Sequence, residues 1–246
     1  MTVPLDQING MPAFLPHYPM HPARYRNVRL HQVYFRAKAS AIDRVLSVCF
    51  EPSDDGFCVA TGLTVGWWSN YGPFDESFLT AKCTYRGERG YFTIIAFLNS
   101  RSSIPAGREI YGTPKVFADM RVSVDERMMY TDTMVAGVPI FSIRSAMERD
   151  ANPSDLPCLV PSWRLKIIPR ADGGGPDVMQ VIDVSEVIFD NVIHSSQAGE
   201  GVIEFHPTRV HDMSGFIPVE YYGAHYIESE YKEGHGTVVH DFLSDG

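Results

Sequence analysis

The chain has 246 residues, 44% hydrophobic and 12% aromatic, a length and composition that suit a globular domain with a sizeable core and exclude a disordered polypeptide. A net charge of −9 and a pI near 5.4 argue against nucleic acid or an anionic membrane as a partner. No window approaches the apolar length of a membrane span, the N-terminus lacks a signal-peptide pattern, and Cys49, Cys58, Cys83 and Cys158 form no C-x-x-C pair, so a reduced, cytoplasmic protein is expected.

The first 25 residues carry Pro4, Pro12, Pro16, Pro19 and Pro22. Proline at that density prevents a regular helix, and residues 1–25 read as an arm lying over the surface or over a neighbouring subunit. "VRLHQVYFRA" (28–37) then reads as a strand. "SAIDRVLSV" (40–48) has helical spacing, with Ser40 as N-cap and Ile42, Val45 and Leu46 on one face. From there the signal is mostly β: "GFCVATGLTVGWW", "FLTAKCTY", "RGYFTIIAFL", "FADMRVSV", "MYTDTMVAGVPIFSI", "WRLKIIPR", "VMQVIDVSEVIF", "GVIEFH" and "PVEYYGAHYIES" are strand-like runs. "ADGGGPD" (171–177) reads as a hairpin connection. Its glycines lack the Lys-Ser/Thr of a phosphate loop, and no helix pattern follows. There is no repeat or linker. The expected fold is α+β, mostly β: a single domain, 1–246, on a closed or nearly closed antiparallel β-barrel or sheet with a few short helices. Closing or pairing sheets removes the exposed edges of so many strands.

The chemistry concentrates in "GREIYGTPKVFADM" (107–120). It holds Lys115, one of five lysines, after Pro114 and before Val116 and Phe117. A lysine ordinarily titrates near 10.4, and only its neutral amine attacks a carbonyl, so a nucleophilic lysine requires desolvation. The setting suits an imine-forming amine, and it equally suits a lysine that snorkels its ammonium to water. Glu76 lies in "NYGPFDESF", read as a Gly-Pro loop between aromatics, where it is either a proton carrier or an exposed loop acid. Trp67, Trp68, Tyr71 and Phe74 wall a pocket or pack a core. The nine histidines show no H-E-x-x-H spacing, so no metal is expected, and no G-x-S-x-G elbow occurs.

The block Arg108, Glu109, Tyr111, Gly112, Pro114 and Lys115 resembles the signature of the acetoacetate decarboxylase family. "SWRLKIIPRADG" (162–173), "FDESF" (74–78), "IPVEYYGAHYIES" (217–229) and "VVHDFL" (238–243) resemble further segments of that family in similar order. The resemblance implies a Schiff-base lysine at Lys115, an active-site glutamate at Glu76, no metal or organic cofactor, a small oxo-acid substrate and a homo-oligomer. It implies substrate contacts from Tyr111 and from an arginine: Arg108, or Arg29 or Arg26 near the first strand. Arg108 and Glu109 alternatively form an ion pair that holds the lysine segment. Two departures stand out. The decarboxylase follows its reactive lysine with a second lysine, a known means of lowering the first pKa, and this chain has Val116. The family's additional glutamate has no counterpart among Thr61, Gly62 and Leu63. The expected function is therefore imine-mediated decarboxylation of a small β-keto acid other than acetoacetate, with Glu76 carrying protons at carbon. The alternatives are a pyruvate-dependent aldolase-dehydratase using the same lysine and a non-catalytic small-molecule-binding oligomer. Burial of the Lys115 amine separates the last from the others.

Overall fold

A computed structural model describes residues 4–8, 10–13, 17–18, 20–46, 49–209 and 211–244. Sixteen strands form among the described residues. In chain order they are β1 (Ala23–Arg36), β2 (Glu51–Pro52), β3 (Phe57–Trp68), β4 (Phe74–Tyr85), β5 (Glu88–Leu98), β6 (Lys115–Phe117), β7 (Asp119–Asp125) and β8 (Met128–Val135). There follow β9 (Val138–Ala146), β10 (Arg149–Asp150), β11 (Ser162–Pro169), β12 (Pro176–Asp183), β13 (Ile188–Gly199), β14 (Gly201–Phe205), β15 (Glu220–Glu233) and β16 (Thr237–Asp241). The large sheet runs β10-β13-β15-β1-β3-β4-β5-β11-β12-β16, with β2 beside β4 and β6 beside β5. It is antiparallel except that β6 and β11 both run parallel to β5. Its end strands β10 and β16 do not pair with each other, so the expected antiparallel sheet is present without strict closure. A second sheet, β14-β9-β8-β7, packs against it.

Period-two alternation along the central strands separates two apolar faces. Val33, Phe35, Ala60, Leu79, Ala81 and Phe97 meet Phe141, Ile143 and Ile203 of the small sheet. On the opposite face, Val28, Leu63, Val65, Phe74 and Leu98 form a second cluster. Each large side chain so buried contributes about 1.5–3 kcal/mol before entropy is counted.

Several boundaries differ from the sequence expectation. The first strand starts at Ala23, so the end of the arm is already sheet. Helix α1 (Ala39–Asp43) is shorter than expected, with Lys38 at its N-cap and no side-chain cap. It buries only Ala41 and Ile42 and leaves Val45 38% exposed, so nothing rewards a further turn; residues 47–48 of the expected helix lie outside the described residues. The run 129–143 is a hairpin folded at Ala136 and Gly137, both at positive φ, the geometry of a tight two-residue turn. The run 178–189 breaks after Asp183, whose carboxylate accepts from the Ser185 amide at 2.8 Å. The 171–177 connection is a hairpin, closed by the Arg170 amide donating to the Gly175 carbonyl at 2.9 Å.

Between the sheets lies His31, fully buried, with Nδ1 2.9 Å from Ser145 Oγ and Nε2 2.6 Å from Thr131 Oγ1. Burial, reinforced by the charge of Arg144, lowers its pKa to about 3. The unfolded chain therefore takes up a proton below about pH 6.5 that the folded protein does not accept until about pH 3. Stability is expected to fall as pH drops through that window, by up to ~1.4 kcal/mol per unit from this residue. Urea unfolding between pH 7 and 4 checks this: His31→Gln should show a shallower pH slope than wild type, and equal slopes would remove His31 as the cause.

Candidate active site

Lys115 reaches its position through the segment before it. Helix α2 (Ser103–Ala106) passes into a π-turn, Gly107–Tyr111, closed by Gly112 at φ 77°. A side chain on Gly112 would be strained at that φ, and its Cβ would lie 2.6 Å from the Lys166 backbone on β11. The chain then enters β6, where Lys115 lies opposite Ala96, and Val116 opposite Phe97. Alternation turns Val116 toward the core between the sheets and Lys115 to the other face. Arg108 Nη1 donates to the Lys115 carbonyl at 3.2 Å, bracing the strand from outside.

Glu76 lies on that same face, on β4 between Leu63 and Leu98 in register. It is a strand residue rather than the expected loop acid, because β3 pairs with β4 as far as Phe74 and β5 pairs with β4 from Glu76 onward. The Lys115 amine lies 3.4 Å from Glu76 Oε2, with side-chain exposures of 15% and 9%, and 5.9 Å from the centre of the Phe74 ring. Two charges so enclosed are stable only as a pair, since removing one leaves the other uncompensated. The same contact lets a proton pass from amine to carboxylate with little net displacement of charge.

The Lys115 side chain borders a cavity of about 290 Å³, whose wall also includes Tyr25, Trp68, Tyr111, Arg164 and Glu233. Glu76 meets it through the amine. Glu233 closes the end of β15 and accepts a hydrogen bond from the Tyr25 hydroxyl at 2.5 Å. Burial raises its pKa, Glu76 adds to the rise, and Tyr25 and Lys115 oppose it. Tyr25 is fixed by stacking on Trp68 and Tyr231, at 5.2 and 4.8 Å between ring centres. Arg164, on β11, donates from Nη1 to Ser162 Oγ at 3.0 Å and to the Trp163 carbonyl at 2.8 Å. Its Nε is buried with no hydrogen-bond partner among the described residues. Burial lowers its pKa to about 10 against the opposing pull of Glu76.

The expected site residues separate in space. Lys115 and Glu76 come together, and Tyr111 joins the cavity wall, its hydroxyl donating to the Gly234 carbonyl at 2.6 Å. Arg29 does not join them: its side chain is 55% exposed and pairs at 3.9 Å with Glu228, in a different surface groove. Strand β1 turns it outward, which corrects the expectation that Arg29 contacts substrate. Arg26 also lies outside the cavity wall, over the ring of Trp67. Arg108 serves the backbone of Lys115 instead of the cavity, and no Arg108–Glu109 ion pair forms among the described residues. Sequence reasoning missed Glu233 and Arg164. Arg164 sits inside the quoted "SWRLKIIPRADG" block, where a charged residue beside a tryptophan reads as the solvent side of a strand. Of the arm, His17 packs on the chain's own Ser102 and Tyr71, the Tyr71 hydroxyl donating to the His17 carbonyl. Among the described residues no three His, Cys, Asp or Glu side chains gather as a metal site, and no helix is long and apolar enough to cross a membrane.

Gly107 completes the geometry. A Cβ placed there would lie 2.5 Å from Cδ and 2.7 Å from Cε of Lys115, so the lysine reaches the cavity across a residue without a side chain. Gly107→Ala is expected to displace the amine with little effect on folding, because the lysine chain is flexible. The rate of imine formation should drop by ~10–100-fold, the scale of a misplacement of about 1 Å. Stopped-flow measurement with a saturating keto acid, beside a thermal melt, checks this. Unchanged imine formation would show that the lysine does not depend on Gly107.

Residues 3–243 match the family model described as acetoacetate decarboxylase (ADC). An acetoacetate decarboxylase from Chromobacterium violaceum is 26% identical over 244 residues, covering 95% of each chain. Among solved structures, acetoacetate decarboxylase from Legionella pneumophila superposes with a TM-score of 0.86 at 23% identity, over 97% of this chain and 96% of that one. The enduracididine biosynthesis enzyme MppR, complexed with the condensation product of pyruvate and imidazole 4-carboxaldehyde, superposes at 0.81 with 17% identity, over 95% and 97%. The two superpositions establish a shared fold, and the family match runs through every element that builds the Lys115 cavity: the protein belongs to the acetoacetate decarboxylase family.

Proposed function

We propose that the protein is an imine-forming carbon–carbon lyase that decarboxylates a small 3-oxo acid through Lys115, without metal or organic cofactor. The observation that carries this reading is the Lys115–Glu76 pair at the edge of the cavity. A lysine side chain only 15% exposed also speaks against a mere binding protein. Glu76 takes the proton from the ammonium, and the neutral amine adds to the ketone carbon. Loss of water gives a protonated imine. The bond to the carboxylate carbon then breaks, its electron pair passing to the imine nitrogen as carbon dioxide leaves. Glu233, whose carboxyl is biased toward the protonated form, donates a proton to the enamine carbon, and water releases ketone and lysine. A homo-oligomeric state is proposed with it, checked by light scattering of the purified protein.

A second reading is favoured by the guanidinium of Arg164 in the cavity wall, whose Nε has no partner among the described residues, and by the likeness in fold to MppR. Pyruvate would form the imine, lose a methyl proton, and add as enamine to an aldehyde before water is eliminated. Two assays separate the readings. Carbon dioxide release from a panel of 3-oxo acids, lost in Lys115→Ala, supports the first. Deuterium exchange into the methyl group of pyruvate, lost in the same variant, supports the second. Neither signal in wild type would overturn both.

A further inference from the structure

The mechanism above uses Lys115, Glu76 and Glu233 and leaves one charged group of the cavity without a task. Arg164 is partly buried, its Nε fully so, yet no carboxylate lies within ion-pair distance of it among the described residues. Arginine is rarely enclosed without an anion, because the cost of desolvating a guanidinium is offset only by a partner. Both hydrogen bonds it makes leave from Nη1, and they fix the plane of the group. Nε is enclosed without a partner and Nη2 makes no hydrogen bond among the described residues, so the group keeps donors that a carboxylate can take. The side chain lines the same cavity as Lys115, and Glu76 is engaged by the lysine amine at 3.4 Å.

Resting on the imine reading, we propose that Arg164 anchors a carboxylate of the substrate, one that the reaction keeps. A carboxylate gripped by a buried guanidinium is stabilised as the anion, and it would have to surrender that stabilisation to leave as neutral carbon dioxide. The anchored group is therefore not the leaving group. If the enzyme is a decarboxylase, its substrate carries two carboxylates, one lost and one retained. If it is an aldolase-dehydratase, the retained carboxylate is the one beside the ketone. In both cases a 3-oxo acid with a single carboxylate, such as acetoacetate, is a poor substrate. The cause is the anchor at Arg164, not the absence of a cation at Val116.

Borohydride trapping of wild type, Arg164→Met and Arg164→Lys with pyruvate and with methyl pyruvate tests the anchor. The two ketones differ by the charge that Arg164 would hold. Methionine fills similar space without charge, and melting curves confirm that each variant is folded. The ratio of half-saturating concentrations should shift against pyruvate by at least ~10-fold in Arg164→Met, the scale of a lost charge-assisted contact, and by less in Arg164→Lys. Equal losses for both ketones would mean a structural role, and no change would mean no role; either overturns the proposal. Equilibrium binding of propanoate against propanamide, which needs no imine, separates this proposal from the one it rests on. If wild type traps neither ketone but prefers propanoate in an Arg164-dependent way, the anchor stands and the imine fails. If trapping succeeds and neither pair of ligands responds to Arg164, the imine stands and the anchor fails.

Discussion

Lys115→Ala is expected to lose turnover by at least ~1000-fold, to the background of the uncatalysed reaction, on whichever oxo acid the wild type converts. No other amine takes its place: Lys166 is turned to a separate groove beside Arg108 and Glu109, and Lys82 pairs with Asp55 at 2.5 Å. Lys115→Arg should be as inactive, although it keeps the charge beside Glu76, because a guanidinium stays protonated at any working pH. The pair of variants separates chemistry from folding. Alanine leaves Glu76 enclosed without a counter-ion, at a cost in stability. Arginine retains a cation there. Equal inactivity with unequal melting temperatures is the expected pattern, read by steady-state assay and calorimetry. Activity within tenfold of wild type in Lys115→Ala would remove the lysine from the chemistry.

The second large effect concerns the two acids. Glu76 touches the amine, while Glu233 lines the cavity. Glu76→Gln is expected to slow imine formation by ~100-fold or more, the lower scale for general acid–base catalysis, because nothing else described lies within reach of the ammonium proton. Glu233→Gln should form the imine at close to the wild-type rate and stall afterwards, so that the borohydride-trappable fraction rises at steady state while product formation falls. The raised pKa of Glu233 adds a sign: its protonated form does the work, so turnover should decline as pH rises through that pKa, and the decline should vanish in Glu233→Gln. If Glu76→Gln forms the imine normally and stalls later, the two roles are exchanged.

Much of this was legible in the sequence, and what was not has physical causes. Lys115 stood out because proline, a rare lysine and an apolar run coincide, and the quoted blocks carried the family with them. The strands of the central sheet were readable because each face is buried and alternates cleanly. Strand β13 was missed past Phe189, since "DNVIHSSQAG" is polar and half exposed, and its pairing with β15 is a tertiary fact. The burial of Glu76 was invisible because a Gly-Pro pair upstream suggested a loop, whereas cross-strand neighbours Leu63 and Leu98 decide its environment. Val116 looked like a missing cation beside the amine. One residue along a strand reverses the direction of the side chain, and Val116 packs toward Phe97 in the core between the sheets. A lysine introduced there would enter that core instead of lying beside Lys115. Arg164 was hidden by the converse: a charged residue in a strand is read as solvent-facing until the cavity that it lines is seen.

The most direct test of the account is the site of the covalent bond. Wild-type protein incubated with pyruvate, or with a 3-oxo dicarboxylate, is reduced with borohydride, digested and mapped by mass spectrometry. One adduct per chain is expected, on the peptide bearing Lys115, with the mass of the reduced imine and absent without the keto acid. An adduct on Lys82 or Lys166 in its place, or turnover with no trappable adduct at all, would contradict it.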